Sequence, residues 1–171
     1  MDVIRDAGPD DTAPMLAIYE PLVRESIITF EERSPSPDEF ARRIERSHCW
    51  LVSQRGAEVA GYAYASPFHP RSAYRWSAEV SVYVHPDHQR AGVGSALLQG
   101  LLDRLTAKGL VNVFAGIALP NDGSVRLFES IGFERIALQK EVGFKLGRWI
   151  DVGWWQKQLR DRAISPAEPD L

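Results

Sequence analysis

Ser81-Val82-Tyr83-Val84-His85-Pro86-Asp87-His88-Gln89-Arg90-Ala91-Gly92-Val93-Gly94-Ser95 is the stretch on which the reading of this chain turns. Residues 77–84 read as a strand. Beyond the glycines, Val93, Leu97, Leu98, Leu101, Leu102 and Leu105 recur at helical spacing until Gly109 stops them. The segment is therefore strand, turn, helix, with Gly92 and Gly94 removing side chains where the helix begins. Free N–H groups and the positive end of the helix dipole then converge on one spot, which suits a pyrophosphate. Two nucleotide patterns fail here. A P-loop needs Gly-Lys-Ser/Thr, but Gly94 is followed by Ser95-Ala96, and Leu97 stands where a dinucleotide fingerprint needs a third small residue. Taken alone, the two glycines fit a tight turn as well as they fit an anion site.

Upstream of this stretch, residues 3–5 read as a short strand. Asp10 or Asp11 can cap a helix carrying Ala13, Leu16, Ala17, Tyr19, Leu22 and Val23. Ser34-Pro35-Ser36-Pro37 is a break, with Ser36 as N-cap and Pro37 opening a second helix that bears Phe40 and Ile44 on one face. Residues 50–52 and 59–65 form a hairpin around Gly56. Downstream come a strand over 111–118, a short helix over 124–131 ending at Gly132, and two strands near 136–144 and 149–158. The order β-α-α-β-β-β-α-β-α-β-β is that of a mixed α/β domain. It spans residues 1–160, and Ser165-Pro166-Ala167-Glu168-Pro169 marks a flexible C-terminal tail over 161–171.

The bulk properties exclude several function classes. The chain of 171 residues, 44% hydrophobic and 25% charged, is one ordinary globular domain. Its net charge of −3 with dispersed Lys and Arg offers no basic stripe, so nucleic acid is not an expected partner. No apolar run reaches the roughly 18 residues of a membrane span, and the N-terminal residues lack the order of a signal peptide. No membrane partner and a cytoplasmic location are expected. The single cysteine, Cys49, permits no internal disulfide and reads as a core residue beside Trp50; no metal site is expected.

Gln89-Arg90-Ala91-Gly92-Val93-Gly94 resembles the acyl-CoA motif of the GNAT acetyltransferase superfamily, and Leu119-Pro120-Asn121-Asp122-Gly123-Ser124-Val125-Arg126-Leu127-Phe128-Glu129-Ser130-Ile131-Gly132-Phe133 resembles its second motif. Thr29-Phe30, the segment 71–79 and the segment 143–156 narrow the resemblance to the phosphinothricin and methionine sulfone/sulfoximine N-acetyltransferases. The likeness runs nearly the whole chain up to Leu159. It implies a GNAT fold, with a mixed, mostly antiparallel sheet splayed open for acyl-CoA and flanked by helices. It implies acetyl-CoA as co-substrate and a small amine or amino-acid analogue as acceptor. Val82, Tyr83 and Val84 would pair with pantetheine, Arg90, Ala91, Gly92, Val93, Gly94 and Ser95 would hold the pyrophosphate, and Asn121 would contact the cofactor. A homodimer is also implied.

Acetyl transfer needs a neutral amine, donors for a developing oxyanion and a path for the amine's proton; free amines are largely protonated near pH 7. Strand alternation puts Glu79 on one face with Ser77, Ser81 and Tyr83, and Val80, Val82 and Val84 on the other. Glu79 is the general-base candidate, directly or through a water, and Ser81 shares its face as a substrate-binding candidate. A solvent-facing strand charge is the competing reading. Arg71 and Arg75 are candidate clamps for a substrate carboxylate, because a guanidinium fork matches that group. Phe30 is a candidate for the side-chain pocket, while Trp149, Trp154 and Trp155 read mainly as packing. One residue departs from the family pattern. Seven positions after the motif asparagine many superfamily members carry a tyrosine and the phosphinothricin relatives a histidine, either able to protonate a leaving thiolate; Phe128 stands there and cannot. His85 and His88 read as turn residues. Two other functions fit less well: acetylation of a peptide N-terminus, and an acyl-CoA sensor without turnover.

Overall fold

The computed structural model describes residues 2–171. β1 (Val3–Asp6), α1 (Thr12–Glu25), α2 (Pro37–Arg46), β2 (Cys49–Arg55), β3 (Glu58–Pro67), β4 (Ser77–Val84), α3 (Val93–Ala107), β5 (Asn112–Leu119), α4 (Asp122–Ser130), β6 (Glu134–Lys145) and β7 (Arg148–Gln158) follow in the expected order. Short 3-10 turns add themselves before α1, before β4 and after β4. The strands form one seven-stranded sheet in the order β1-β2-β3-β4-β5-β7-β6. Only β4 and β5 run parallel, since α3 carries the chain back between them.

Each face of the sheet is covered by helices whose apolar stripes the sequence shows. Leu97, Leu98, Leu101, Leu102 and Leu105 of α3 pack with Ala78 and Val80 of β4 and Phe128 of α4. On the other face Met15, Tyr19 and Val23 of α1 and Phe40 of α2 cover Trp50, Val52 and Tyr62. β4 alternates as expected, with Val82 and Val84 against the α3 side and Tyr83 against the α1 side. Its register with β3 is unbroken from Gly61↔Val84 to Pro67↔Ala78.

Local signals were accurate where one residue decides them. Ser36 accepts a hydrogen bond from the Glu39 amide and Pro37 opens α2. The cap expected of Asp11 does not form. Its carboxylate instead takes two hydrogen bonds from the Arg5 guanidinium, at 2.7 and 2.8 Å, and one from the Gly8 amide. A bidentate guanidinium outcompetes a single helix N–H for the same oxygens. Trp149, expected to pack, is 61% exposed, because it faces outward from the last hairpin, whereas Trp155 is buried and donates to Glu129. Cys49 is half-buried.

The terminal residues, expected as a flexible tail over 161–171, meet the segment before β4 and the end of α3. The Ala167 carbonyl accepts from the Trp76 indole, Glu168 pairs with Arg75 at 2.9 Å, and the Asp170 amide donates to the Lys108 carbonyl. Among the described residues no helix is long and apolar enough to cross a membrane, and no group of three or more His, Cys, Asp or Glu could hold a metal ion.

Candidate active site

β4 and β5 pair over only three rungs: Ser77↔Asn112, Ala78↔Val113 and Glu79↔Phe114. Beyond Glu79 the two strands part. β5 continues on its other side with β7 from Asn112↔Gln158 to Leu119↔Asp151, and β4 continues with β3. The main-chain groups of Val82, Tyr83 and Val84 that face β5 therefore have no strand partner. The opening is a cleft with Val80 to Tyr83 on one wall and Ala115 to Ala118 on the other. Ile28, Asn121, Ser124 and Phe128 complete its lining.

The N-terminus of α3 lies against the end of β4 and α4, which carry two sides of the cleft. Gly92 has φ +82°, a left-handed conformation that glycine adopts at no cost, and Arg90 also has a positive φ of 61°. No side chain caps the helix, so the first N–H groups of Val93, Gly94 and Ser95 point away from the helix without an intrahelical acceptor. Gly94 is closely packed: a Cβ there would come within 3.2 Å of the Leu127 side chain and 3.5 Å of Val84, a contact that a small shift of the leucine relieves. Ala91, Gly92 and Ser95 are exposed on the same turn. A bare helix terminus of this kind fits a pyrophosphate, and an extended unpaired strand edge fits an amide-bearing arm. Asn121 caps α4 by accepting from the Ser124 amide, which leaves its own NH₂ to face the cleft it lines.

Glu79 sits at the point of splaying. It is half-buried, and burial alone pushes its pKa up from the ordinary carboxylate value. Ser81 and Tyr83 lie on its face of β4, and across the strand pair Tyr64 stands opposite Ser81. Tyr64 and Tyr83 are deep in an aromatic cluster, and burial raises both hydroxyl pKa values, Tyr83's far above the ordinary one.

The remaining candidates separate. Phe30 is 40% exposed and rests on the bare Cα of Gly143, outside the cleft lining. Arg75 is engaged by Glu168 and stacks on Trp76 at 4.5 Å. Arg71 is exposed and forms no ion pair among the described residues. His85 caps the turn after β4 by accepting from the Asp87 amide, the turn role expected for it. Phe128 is buried against Phe133, edge to face at 5.0 Å. Sequence reasoning missed Ile28, since nothing local marks an aliphatic loop residue as lining a cleft.

The acetyltransferase (GNAT) domain family matches residues 4–154. The chain belongs to the GNAT acetyltransferases. Among its relatives within that family, the phosphinothricin N-acetyltransferase of Streptomyces viridochromogenes is 40% identical over 159 residues, covering 91% of this chain and 87% of that protein. The L-methionine sulfoximine/L-methionine sulfone acetyltransferase of Salmonella typhimurium is 34% identical over 168 residues, covering 96% and 98%. Among solved structures, a GNAT superfamily phosphinothricin acetyltransferase from Sinorhizobium meliloti in complex with AcCoA superposes with a TM-score of 0.94. It is 36% identical and covers 99% of this chain and 96% of that one. The seven-stranded mixed sheet with its flanking helices is thus a GNAT fold.

Proposed function

We propose that this GNAT enzyme moves the acetyl group of acetyl-CoA to the α-amine of a small amino-acid analogue of the phosphinothricin or methionine sulfone/sulfoximine type. The observation that carries the reading is the half-buried Glu79 carboxylate at the last β4–β5 rung, where the cleft opens with the α3 N-terminus against the end of β4. Relatives named for these substrates support it.

In this reading acetyl-CoA supplies the thioester. The amides of residues 92–95, with Arg90, hold its pyrophosphate, Val82 to Val84 hold its pantetheine arm by main-chain hydrogen bonds, and Asn121 contacts it across the cleft. Glu79 takes the proton of the acceptor's ammonium, directly or through one water, so that a neutral amine attacks the carbonyl carbon. Burial raises its pKa, which makes the carboxylate a stronger base than an exposed one. Ser81 shares the face on which the acceptor lies. Phe128 has no proton to give, so the departing thiolate takes one from water.

The unpaired edge of β6 and the outward face of the last hairpin expose Ile136, Leu138, Val142, Phe144, Leu146 and Trp149. Contiguous exposed apolar side chains on a sheet edge favour a covering partner, and the reading includes a homodimer through this surface. A cytoplasmic location completes it.

The deciding experiment is release of free thiol from acetyl-CoA across a panel of amino-acid analogues and N-terminal peptides. Turnover with the analogues upholds the reading. Turnover with peptides alone would make the enzyme an N-terminal acetyltransferase, and CoA binding without turnover would make it a sensor.

A further inference from the structure

Ile28 lines the cleft, and the structure shows what holds the 27–30 loop that carries it. Ile27 is buried with Ala118 and Ile150, and Ile28 shares the lining with Val80 to Tyr83 and Ala115 to Ala118. Thr29 is only 8% exposed and is held from two sides. Its hydroxyl shares a 2.7 Å hydrogen bond with the hydroxyl of Tyr19 on α1, and its carbonyl accepts a 2.6 Å hydrogen bond from the ammonium of Lys145 at the end of β6. Tyr19 in turn sets its ring edge-on against Tyr83 of the cleft lining, 5.3 Å between centroids.

Lys145 is 5% exposed at the end of a strand that is otherwise open to solvent. Burying an ammonium is costly, and a lysine beside a hairpin turn has an easy route to water. Here it turns inward. Gly143 pairs with Ile150 and Lys145 with Arg148, and cross-strand partners share a face, so both lie on the side that Ile150 presents to Ile27. Gly143 belongs to the same contact: a Cβ there would overlap the Phe30 ring. The hairpin therefore grips the loop twice, by a charged donor on the Thr29 carbonyl and by a missing side chain under Phe30.

We propose that Lys145 is a positioning residue for the acceptor side of the cleft, holding the loop that Phe30 anchors on Gly143 so that Ile28 stays where it selects the acceptor's side chain. The inference rests on the acetyl-transfer reading above. It assigns Lys145 no proton transfer and no contact with acetyl-CoA.

Lys145→Met keeps the stem and removes the donor. The acceptor KM should rise by about tenfold or more, the scale of losing a hydrogen bond to a charged group, while the acetyl-CoA KM and the saturating kcat stay within about twofold. Hydrogen exchange of the peptide over 26–32, whose Ile28 and Glu31 amides bond to Ser26 and Thr29 hydroxyls, should accelerate with β4 and β5 protection unchanged. Unchanged exchange over 26–32, or faster exchange with an unaltered acceptor KM, would overturn the proposal. If the wild-type enzyme turns over no acceptor of the panel, the acetyl-transfer reading falls, while the exchange measurement still decides whether Lys145 holds the loop. Should Lys145→Met not fold, Gly143→Ala reads the same grip. It displaces Phe30 with the Lys145 donor intact, and acceptor preference must shift toward different side-chain sizes; an unshifted preference would refute the proposal.

Discussion

Glu79 stands opposite Phe114 in the last rung that joins β4 to β5. One residue further along, the strands separate, so Glu79 stands at the backbone position where the cleft begins, next to its first lining residue Val80. Pairing on one side and opening on the other explain why it is half-buried with no cation beside it. Desolvation is the one influence on its pKa, and for a carboxylate desolvation raises it.

Glu79→Gln is expected to lower kcat by roughly 10²–10⁴-fold with acetyl-CoA affinity nearly intact. In the wild type the base works only when ionised, so kcat/KM climbs as pH rises through the raised Glu79 pKa. That acid limb should disappear in the glutamine variant. Steady-state kinetics across pH check both; a full-speed variant would make Glu79 a structural charge.

Gly94→Glu places bulk and negative charge where the α3 N–H groups converge. An acidic residue at a helix N-terminus suits the dipole, so the fold should persist while CoA binding is abolished. Calorimetry with CoA measures this, and unchanged affinity would remove the cofactor site from α3.

Arg75 is occupied by Glu168, whereas Arg71 is free of ion pairs among the described residues. Of the two candidate clamps for an acceptor carboxylate, Arg71 is the one expected to act. The free acid of a good substrate should outperform its methyl ester, and Arg71→Ala should erase that preference while Arg75→Ala preserves it. Paired kcat/KM values for acid and ester decide the matter, and the opposite pattern would return the role to Arg75.

Asp11 is 5% exposed and anchors β1 to the start of α1 through Arg5 and Gly8. The Arg5 hydrogen bonds hold its pKa below the ordinary value, the backbone amide of Gly8 adding to them. A carboxylate whose folded pKa is depressed stabilises the fold above its unfolded pKa, and that contribution is lost as pH falls through the folded one. Asp11→Asn should cost about 1–3 kcal/mol at neutral pH and flatten the acid side of the stability profile. Chemical denaturation at pH 7 and at successively lower pH tests this; equal loss at every pH would show that charge is not the cause.

The sequence by itself determined the element order, the strand-turn-helix join and the family. These rest on short-range rules: Ser36 and Pro37 start α2 because cap and φ are local properties, and the leucines of α3 mark its buried face by period alone. Glu79 and Ser81 could be placed on one face of β4 because alternation needs no partner strand. What the tertiary structure decided is which groups from distant segments compete for one another. Asp11 left its cap for Arg5, Arg75 met Glu168 from the tail, and Lys145 reached Thr29 across 116 positions of sequence. No local pattern distinguishes a buried lysine from a solvated one, or a free guanidinium from a paired one. Those outcomes depend on desolvation and on the geometry of long-range partners, which exist only once the sheet has formed and its last hairpin has closed against the 27–30 loop.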